Sequence, residues 1–231
     1  MPGYQHYSFD LWLTLIRSNP AFKQERARYF FRRFNPLHKS LEEVQAAFRQ
    51  VDLMCNAINE KTGGNIDAEE MYLMVISAIS DHTASFADID LPGLYAEMEE
   101  LLFRHLPQVY CTETPRVLAR LREGEEVTLN ILSNTGFIKG STLRKILGLI
   151  ELEGYFDFQL YSDEIGLSKP CPRLFEKLLQ KIEETRGSVA RTRIIHVGDN
   201  PLADIHGAST IGIDSLLINS NDLSISKLVA R

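Results

Sequence analysis

Polar side chains follow several short apolar runs of the sequence, at the point where each run ends. These side chains are Asp10, Ser133, Asn134, Asp163 and Asp199. A second acid, Asp204, stands five residues after Asp199. Carboxylates brought together repel one another unless a cation lies between them, and Mg²⁺ prefers oxygen ligands of this kind. A carboxylate that attacks a phosphoryl group also needs the negative charge of that group neutralised. The residue types therefore indicate phosphoryl chemistry assisted by a divalent cation.

The apolar runs are predicted to be β-strands of one sheet. They cover residues 4–9, 127–132, 158–161, 193–197 and 215–218. Helical patterns lie between the later ones, which is typical of parallel strands joined by crossover helices. Continuous apolar strands also fit a sheet covered on both faces. Because open parallel sheets bind ligands beyond the carboxyl ends of their strands, the polar side chains above are expected to meet at one edge.

The stretch between the first strand and the others is predicted to be entirely helical. Its apolar residues recur at steps of three and four, as in Leu41, Val44, Phe48, Val51, Cys55 and Ile58. A glycine pair in residues 62–65 breaks the pattern once. We expect a bundle of roughly four helices, joined to the rest near residues 18–20 and 108–114. The stripe at residues 71–79 is interpreted as core.

Composition narrows the possible partners. A formal net charge of −6 argues against a general nucleic-acid binder, which would carry a basic patch. No run of about 18 apolar residues is present, so no membrane span or membrane partner is expected. The N-terminal residues lack the pattern of a signal peptide. Three widely spaced cysteines fit reduced thiols, and a cytoplasmic location is the resulting expectation.

Four segments in order resemble the motifs of the haloacid dehalogenase superfamily. Residues 9–15 resemble the first motif and residues 131–135 the second. Lys169-Pro170 resembles the third, and residues 196–208 resemble the fourth, with its acidic pair five residues apart. The resemblance implies a Rossmann-like α/β core with a mainly parallel sheet and covering helices. It assigns residues 1–16 and 108–231 to that core and residues 17–107 to a separate all-helical cap.

The resemblance also implies a reaction. Mg²⁺ would be held by Asp10, Asp199 and Asp204 together with the main-chain carbonyl of Trp12. Asp10 would attack phosphorus and form an aspartyl-phosphate that water then hydrolyses. The expected substrate is a small phosphorylated metabolite, and in this family the cap selects it. The turn at residues 61–65 is our candidate for a specificity loop.

Four further residues receive roles from the same motifs. Ser133 and Asn134 would donate hydrogen bonds to the phosphoryl oxygens. Lys169 would hold Asp10 and the phosphate through its positive charge. Thr14 would brace the first loop through its hydroxyl. Taken one at a time, each could instead be an ordinary turn, cap or surface residue, and it is their common position at one sheet edge that favours a site.

The first motif departs from the family pattern at two positions. Phosphatases of the family usually have a second aspartate two residues after the nucleophile, and it transfers a proton to the leaving group. Here the residue is Trp12, which cannot transfer a proton at neutral pH. A positioned acid–base group contributes about 10²–10⁴ in rate. Leu13 stands where most members have glycine, so the loop must turn without that residue's freedom.

Three alternatives follow from Trp12. Haloacid dehalogenases have an aromatic residue there and need no metal, and Arg17, Arg32 and Arg33 are candidates for the arginine that would hold the substrate. A phosphonatase would need a cap lysine, either Lys39 or Lys61, but Trp12 is too large for that type. A binding or regulatory protein on the same fold is the third alternative. His196 and His206 are interpreted as packed or capping residues, and the oligomeric state is left open.

Overall fold

Five parallel strands form the central sheet of the computed structural model, which describes residues 3–124 and 126–229 of the 231-residue chain. In chain order they are β1 (His6–Phe9), β4 (Thr128–Ser133), β5 (Phe158–Tyr161), β6 (Ile194–Gly198) and β7 (Asp214–Leu217), and two short strands, β2 and β3, lie between the first two. Their order across the sheet is β5-β4-β1-β6-β7. The predicted α/β fold with a parallel sheet is confirmed. Residues 1, 2, 125, 230 and 231 of the predicted core lie outside the described residues.

The register of the sheet brings the polar strand ends together. Phe9, at the end of β1, is level with Ile131 of β4 and with Val197 of β6. The next residue, Asp10, continues the ladder, since its amide donates to the carbonyl of Val197 at 2.9 Å. Asp10, the end of β4 and the end of β6 therefore meet at the carboxyl edge of the sheet, as parallel pairing requires.

Helices cover both faces of this sheet. They are α5 (Thr114–Arg122), α6 (Gly140–Leu149), α7 (Ser162–Ile165), α8 (Pro172–Arg186) and α9 (Gly207–Thr210). On α8 the buried side chains Leu174, Phe175, Leu178 and Ile182 follow helical spacing and pack against one face. Buried residues of α5 and α6 pack against the other face. Both sides of the strands are therefore buried, and the polar side chains that they carry, such as His6, Asn130 and His196, are hydrogen-bonded inside the protein.

Four helices occupy the stretch between β1 and β4. They are α1 (Pro20–Arg33), α2 (Leu41–Thr62), α3 (Ala68–Ile79) and α4 (Leu91–Arg104). A capping box at Ser40 starts α2, and Gly63, at φ 73°, ends it in the left-handed conformation that glycine adopts freely. Phe30 joins the helices, because its ring contacts those of Phe48 and Tyr72. The predicted helical content is present, and the assignment of these residues to a separate domain stays a prediction.

The two connections to these helices pair with each other. Strand β2 (Ile16–Arg17) runs antiparallel to β3 (Gln108–Val109), a pairing that we did not predict. Two residues are too few to show an alternating pattern in the sequence, so the pairing depends on contacts between distant segments. Within the described residues, no helix combines the length and the apolar character needed to cross a bilayer.

Helices α1 to α4 lie over the carboxyl edge of the sheet and touch it at several points. Ser162 donates to Asn65 at 2.7 Å, and the amide of Ser168 donates to the carbonyl of Gly63 at 3.0 Å. The Tyr72 hydroxyl donates to the carbonyl of Phe137 at 3.2 Å. These contacts enclose a space between the helices and the polar strand ends.

Candidate active site

Asp10 is a buried carboxylate at the sheet edge with three hydrogen-bond donors around it. It is only 7% exposed. Its Oδ1 accepts from Lys169 Nζ at 2.7 Å and from the Ser133 hydroxyl at 3.3 Å, and its Oδ2 accepts from Thr14 at 2.8 Å. Burial raises the pKa of Asp10, and Lys169 acts in the opposite direction. The carboxylate is therefore held in one orientation by three donors.

Lys169 joins Asp10 to Asp204 inside the protein. Its ammonium donates to Asp204 Oδ1 at 2.6 Å. Burial alone would lower the pKa of Lys169, but Asp10 and Asp204 outweigh burial and raise it. For Asp204 burial alone would raise the pKa, yet Lys169 and His196 lower it below its usual range. Lys169 and Asp204 are thus an ionised pair within the core.

His196 of β6, the strand that precedes Asp204, contacts the Asp204 carboxylate. The His196 ring is fully buried; its Nε2 lies 3.0 Å from Asp204 Oδ1, and its Nδ1 lies 3.0 Å from the Ser8 hydroxyl. The amide of Asn200 donates to the other oxygen of Asp204 at 3.0 Å. His196 is therefore packed against the site without facing the cavity, whereas His206 is exposed.

A tight turn after β6 folds Asp204 back toward the strand end. Pro201–His206 form a π-helical turn, and the Asn200 side chain accepts from the amides of Leu202 and Ala203 at its start. A Cβ atom at Gly198 would collide with the Asp204 side chain, so the glycine allows this close approach. The fourth segment thus places both of its acids beside Asp10.

Three carboxylates lie close to one another and to Lys169. Asp10, Asp199 and Asp204 each offer an oxygen within 4.8 Å of the others. Burial, then the charges of Asp10 and Asp204, raise the pKa of Asp199 to about 7. With Lys169 as their cation, three acids carry more negative charge than the protein neutralises. This donor set, made of carboxylate oxygens only, fits a hard divalent cation.

The side chain of Asn134 is paired with the backbone of Lys169. Its side-chain amide donates to the carbonyl of Lys169 at 3.0 Å and accepts from the Lys169 amide at 2.7 Å. Both ends of the amide group are engaged with the backbone of Lys169, and Asn134 also lines the cavity, so its expected donation to a phosphoryl oxygen stays a prediction. The geometry fits a residue that positions Lys169. Sequence patterns could not show this pairing, because 35 residues separate the two.

Two other predicted residues differ in their position, since Asp163 lies outside the cluster and Thr14 lies within it. Asp163 accepts from the amide of Gly140 and so caps α6. Thr14 lies beside the acids, because its hydroxyl contacts Asp10 and lies 3.4 Å from Asp199. It therefore does more than brace the loop.

Trp12 and Leu13 form the loop after Asp10. Trp12 is half-buried and, with Asp10, lines the cavity between the helices and the sheet. Leu13 has φ 60° and a side chain that is mostly exposed. The expectation that this loop turns through a non-glycine residue is thus met by a left-handed leucine. Asn219 supports the turn, donating to the Leu13 carbonyl at 2.7 Å.

The cavity above these residues measures about 1080 Å³ and is lined from both sides. Its lining includes Asp10, Lys169, Asp199 and Asp204 from the sheet edge and residues of α1 and α2 from above. The sequence analysis missed Arg26, which lines it and is 8% exposed. The spacing of Arg26 in α1 marks it as buried, since Phe22 and Phe30 are on the same helix face, and that signal was not used.

The charged residues proposed for the alternative reactions lie elsewhere. Arg17 is exposed on β2, and Arg32 and Arg33 line a second, smaller cavity between α1 and α4. Lys39 pairs with Asp81, and Lys61 is exposed at the end of α2. None of these five described residues lines the cavity.

The turn proposed as a specificity loop contacts the sheet edge. Its residues Gly63 and Asn65 bond to Ser168 and Ser162. Among the described residues that line the cavity, none belongs to positions 61–65. The turn thus anchors the helices in this structure, and its role in substrate choice is not supported by its position.

Comparison with known proteins agrees with the fold and identifies the family. A sequence model described as haloacid dehalogenase-like hydrolase matches residues 8–218. The chain therefore belongs to the haloacid dehalogenase-like hydrolases, and the prediction of a hydrolase of this family is confirmed. The match includes Asp10, Lys169 and both acids of the fourth segment.

Individual relatives differ in how much they share with the chain. It is 29% identical over 224 residues to ribulose-1,5-bisphosphate 5-phosphatase from Halopiger xanaduensis, covering 94% of this chain and 85% of that protein. It is 36% identical over 80 residues to haloacid dehalogenase-like hydrolase domain-containing protein 3 of Mus musculus, of which that match spans only 30%. The magnesium-bound HAD-hydrolase YfnB from Bacillus subtilis superposes with a TM-score of 0.72 at 19% identity, covering 95% of this chain and 90% of YfnB.

Proposed function

We propose that the protein is a Mg²⁺-dependent phosphatase for a small phosphorylated metabolite and that Asp10 is its nucleophile. One observation carries the proposal: Asp10, Asp199 and Asp204 offer oxygens within 4.8 Å of one another at the floor of a cavity, and Lys169 bonds two of them. A divalent cation bound by these acids, with the Trp12 carbonyl as a further ligand, would neutralise charge on the phosphoryl group. The relative named as a ribulose bisphosphate phosphatase supports this substrate class.

The chain's own residues account for the two steps. In the first, a carboxylate oxygen of Asp10 forms a bond to phosphorus, and the bond from phosphorus to the leaving oxygen breaks with its electron pair on that oxygen. In the second, water attacks phosphorus, the bond to Asp10 breaks, and the water proton goes to solvent or to the released phosphate. Lys169 holds Asp10 in place, and the Ser133 and Thr14 hydroxyls are close enough to contact the transferred group.

The residue that would protonate the leaving oxygen is absent from the loop after Asp10. Trp12 lines the cavity in its place and offers an aromatic surface to the substrate. We therefore expect faster turnover of esters whose leaving group is stable as an anion. A positioned acid contributes about 10²–10⁴ in rate, so esters of simple alcohols should be slow.

An aryl phosphate tests the proposal, because its leaving group needs no acid. Hydrolysis of 4-nitrophenyl phosphate should require Mg²⁺ and should fall about 10⁴-fold or more in Asp10→Asn. Asp163→Asn is the matched control, since Asp163 also follows a strand but caps α6. Equal activity in wild type and Asp10→Asn, or full activity in EDTA, would rule the proposed mechanism out.

A metal-free dehalogenase is the second candidate, and one observation favours it. Trp12 and Arg26 line the same cavity as Asp10, so an aromatic residue and an arginine are both present in it. The acidic cluster opposes this reaction, because three carboxylates around an unmetallated site repel an incoming carboxylate. Chloride release from 2-chloropropionate in EDTA would favour the dehalogenase. Folded protein that acts on neither substrate would favour a binding or regulatory role.

A further inference from the structure

Arg26 of α1 is a buried cation that forms no salt bridge among the described residues, although Asp52 acts on it electrostatically. Its side chain is 8% exposed, and no ion pair within residues 3–124 and 126–229 includes it. Its Nε is buried without a hydrogen-bond partner among the described residues. Burial lowers the pKa of Arg26, with Tyr72 and Asp52 acting in the opposite direction. Because buried charges in proteins are normally paired, this guanidinium lacks a partner that a ligand can supply.

Aromatic rings hold the guanidinium in place. Its Cζ lies 4.2 Å from the centre of the Phe48 ring, 4.5 Å from Phe137 and 5.2 Å from Phe22. Phe48 belongs to α2 and Phe137 to the loop after β4, so the rings come from both sides of the cavity. Rings stabilise the cation without occupying its N–H groups, since they contact its face. Tyr72 also contacts the guanidinium, and the N–H groups that it does not engage are left for planar or tetrahedral anions.

The charges around Arg26 are balanced differently from those around Asp10. The helical wall of the cavity carries more basic than acidic side chains. The basic ones are Lys23, Arg26 and Arg49, and the acidic ones are Asp52 and Glu60. At the sheet edge three acids stand against Lys169. One cavity therefore has an end suited to a metal-bound phosphoryl group and a wall suited to a separate anion.

We infer that Arg26 binds a second anionic group of the substrate, at the end remote from the scissile phosphate. The inference rests on the proposed phosphatase function and narrows it to phosphate monoesters that carry a carboxylate or a second phosphate. A fork of N–H donors fixed between rings recognises either group by two parallel hydrogen bonds. Charge-assisted bonds formed away from water discriminate strongly, so a neutral tail should be a much poorer ligand.

A binding experiment tests the inference without requiring turnover. Trp12 is the single tryptophan of the chain and lines the cavity, so its fluorescence reports occupancy. Three series of alkylphosphonates of increasing chain length, ending in a methyl, a carboxylate or a second phosphonate, are titrated with Mg²⁺ present. At the best chain length, one of the anionic ends should bind about 10–100-fold more tightly than the methyl end. The two anionic series show which group the site prefers.

Two variants of α1 separate recognition from packing. Arg26→Met should remove the preference for anionic tails and leave the affinity for methyl-ended phosphonates within about threefold. Arg26→Lys, which keeps the charge without the fork, should retain part of it. Arg32→Met is the matched control, because Arg32 is an exposed arginine of the same helix outside the cavity. Circular dichroism and thermal unfolding confirm that each variant is folded.

The outcomes distinguish this inference from the proposed function. Equal binding of anionic and methyl tails by wild type would overturn the inference, and so would an equal loss of affinity for every phosphonate in Arg26→Met or Arg26→Lys. Hydrolysis of 4-nitrophenyl phosphate without any tail preference would overturn the inference alone. Tail-dependent binding with no phosphate hydrolysis would support the Arg26 site while contradicting the phosphatase.

Discussion

A buried ionisable side chain lies at each end of β1. The one at the N-terminal end has neutral partners, whereas the one that follows the C-terminal end lies among charged groups. At the N-terminal end, His6 lies between neutral partners: Nδ1 is 2.7 Å from the Thr128 hydroxyl, and Nε2 is 2.8 Å from Asn130 Oδ1. Since that oxygen only accepts, Nε2 carries the proton and Nδ1 accepts from Thr128. At the other end, Asp10 lies in a group of charges that the protein does not balance.

The difference shows how a buried polar group can be assigned to structure or to function. The neutral His6 ring has a partner for each nitrogen, and burial lowers its pKa to about 4. It needs nothing from outside the protein. In the two proposals above, the carboxylates near Asp10 bind an added cation and Arg26 binds an added anion. Unbalanced charge in a cavity is thus the physical mark that separates the proposed site from an equally buried polar core.

Removing the one lysine at the Asp10 end should have the largest effect. Lys169→Met leaves Asp10 and Asp204 buried without their cation, and we expect a loss of about 3–5 kcal/mol in the free energy of unfolding. Mg²⁺ should restore part of that loss, because it supplies positive charge to the same acids. Urea unfolding at pH 8, with EDTA and with Mg²⁺, measures both effects.

Lys145→Met serves as the control for this comparison. Lys145 forms an exposed pair with Glu99, and exposed ion pairs contribute at most about 1 kcal/mol. If both variants lose the same small amount, the Asp10 end is not the charge cluster described here. If Mg²⁺ stabilises neither wild type nor Lys169→Met, the acids do not hold a divalent cation.

Because burial keeps His6 neutral in the folded protein, the free energy of unfolding should depend on pH. The unfolded chain binds a proton at His6 near pH 6.5, whereas the folded protein binds it only near pH 4. The folded pKa is the lower one, so stability that is full above pH 6.5 is lost as the pH falls toward 4. The His6 contribution to this loss is about 3 kcal/mol, at 1.36 kcal/mol per pH unit.

His6→Gln isolates this contribution, because the glutamine amide can replace the bond to Asn130 and does not titrate. Its free energy of unfolding, followed by urea denaturation from pH 8 to pH 4, should fall less steeply than that of wild type. Buried His196, whose pKa is also lowered, adds a slope of the same sign in both proteins. Identical slopes would mean that His6 is charged in the folded state.

Sequence patterns predicted one end of the cavity much better than the other. Asp10, Ser133 and Asp199 could be placed together because parallel strands end at one edge and each residue follows an apolar run. Arg26, on the helical wall, could not be assigned from sequence, since its partner Phe137 lies across the cavity. The pairing of Asn134 with Lys169 could not be predicted either, because the two residues are 35 positions apart. Periodicity shows which face of a helix is buried but not what that face meets.

Trp12 offers a way to sharpen the comparison by adding a proton donor to the Asp10 end. Trp12→Asp should raise the turnover of simple alkyl phosphates by up to about 10²-fold, the lower end of what a positioned acid–base group supplies. The physical reason is that an alkoxide leaves slowly unless it is protonated as the bond breaks. Steady-state kinetics on ethyl phosphate and 4-nitrophenyl phosphate give the ratio.

Trp12→Phe is the matched variant, because it opens space without supplying a proton. An equal gain in Trp12→Phe and Trp12→Asp would mean that bulk, not proton transfer, limits the rate. A folded Trp12→Asp protein with no gain on ethyl phosphate would show that the missing acid is not the limiting feature.

The smallest expected effect concerns the loop that carries Trp12. Leu13 has a left-handed backbone, with φ 60°. Because its side chain is 53% exposed, burial offsets little of the conformational cost. An L-residue in the left-handed conformation costs about 1–2 kcal/mol, and glycine avoids this cost. Glycine also gives the unfolded chain more conformational entropy, which cancels about 0.5–1 kcal/mol of the gain. Leu13→Gly should therefore stabilise the protein by up to about 1 kcal/mol in thermal or urea unfolding.

Leu37→Gly tests whether this gain comes from the backbone. Leu37 is 46% exposed but is not among the described residues with positive φ, so glycine relieves no strain there. It should destabilise the protein by about 0.5–1 kcal/mol through chain entropy alone. Opposite signs at the two leucines would locate stored strain in the loop beside Asp10, whereas a loss at both would mean that Leu13 makes contacts that outweigh its conformation.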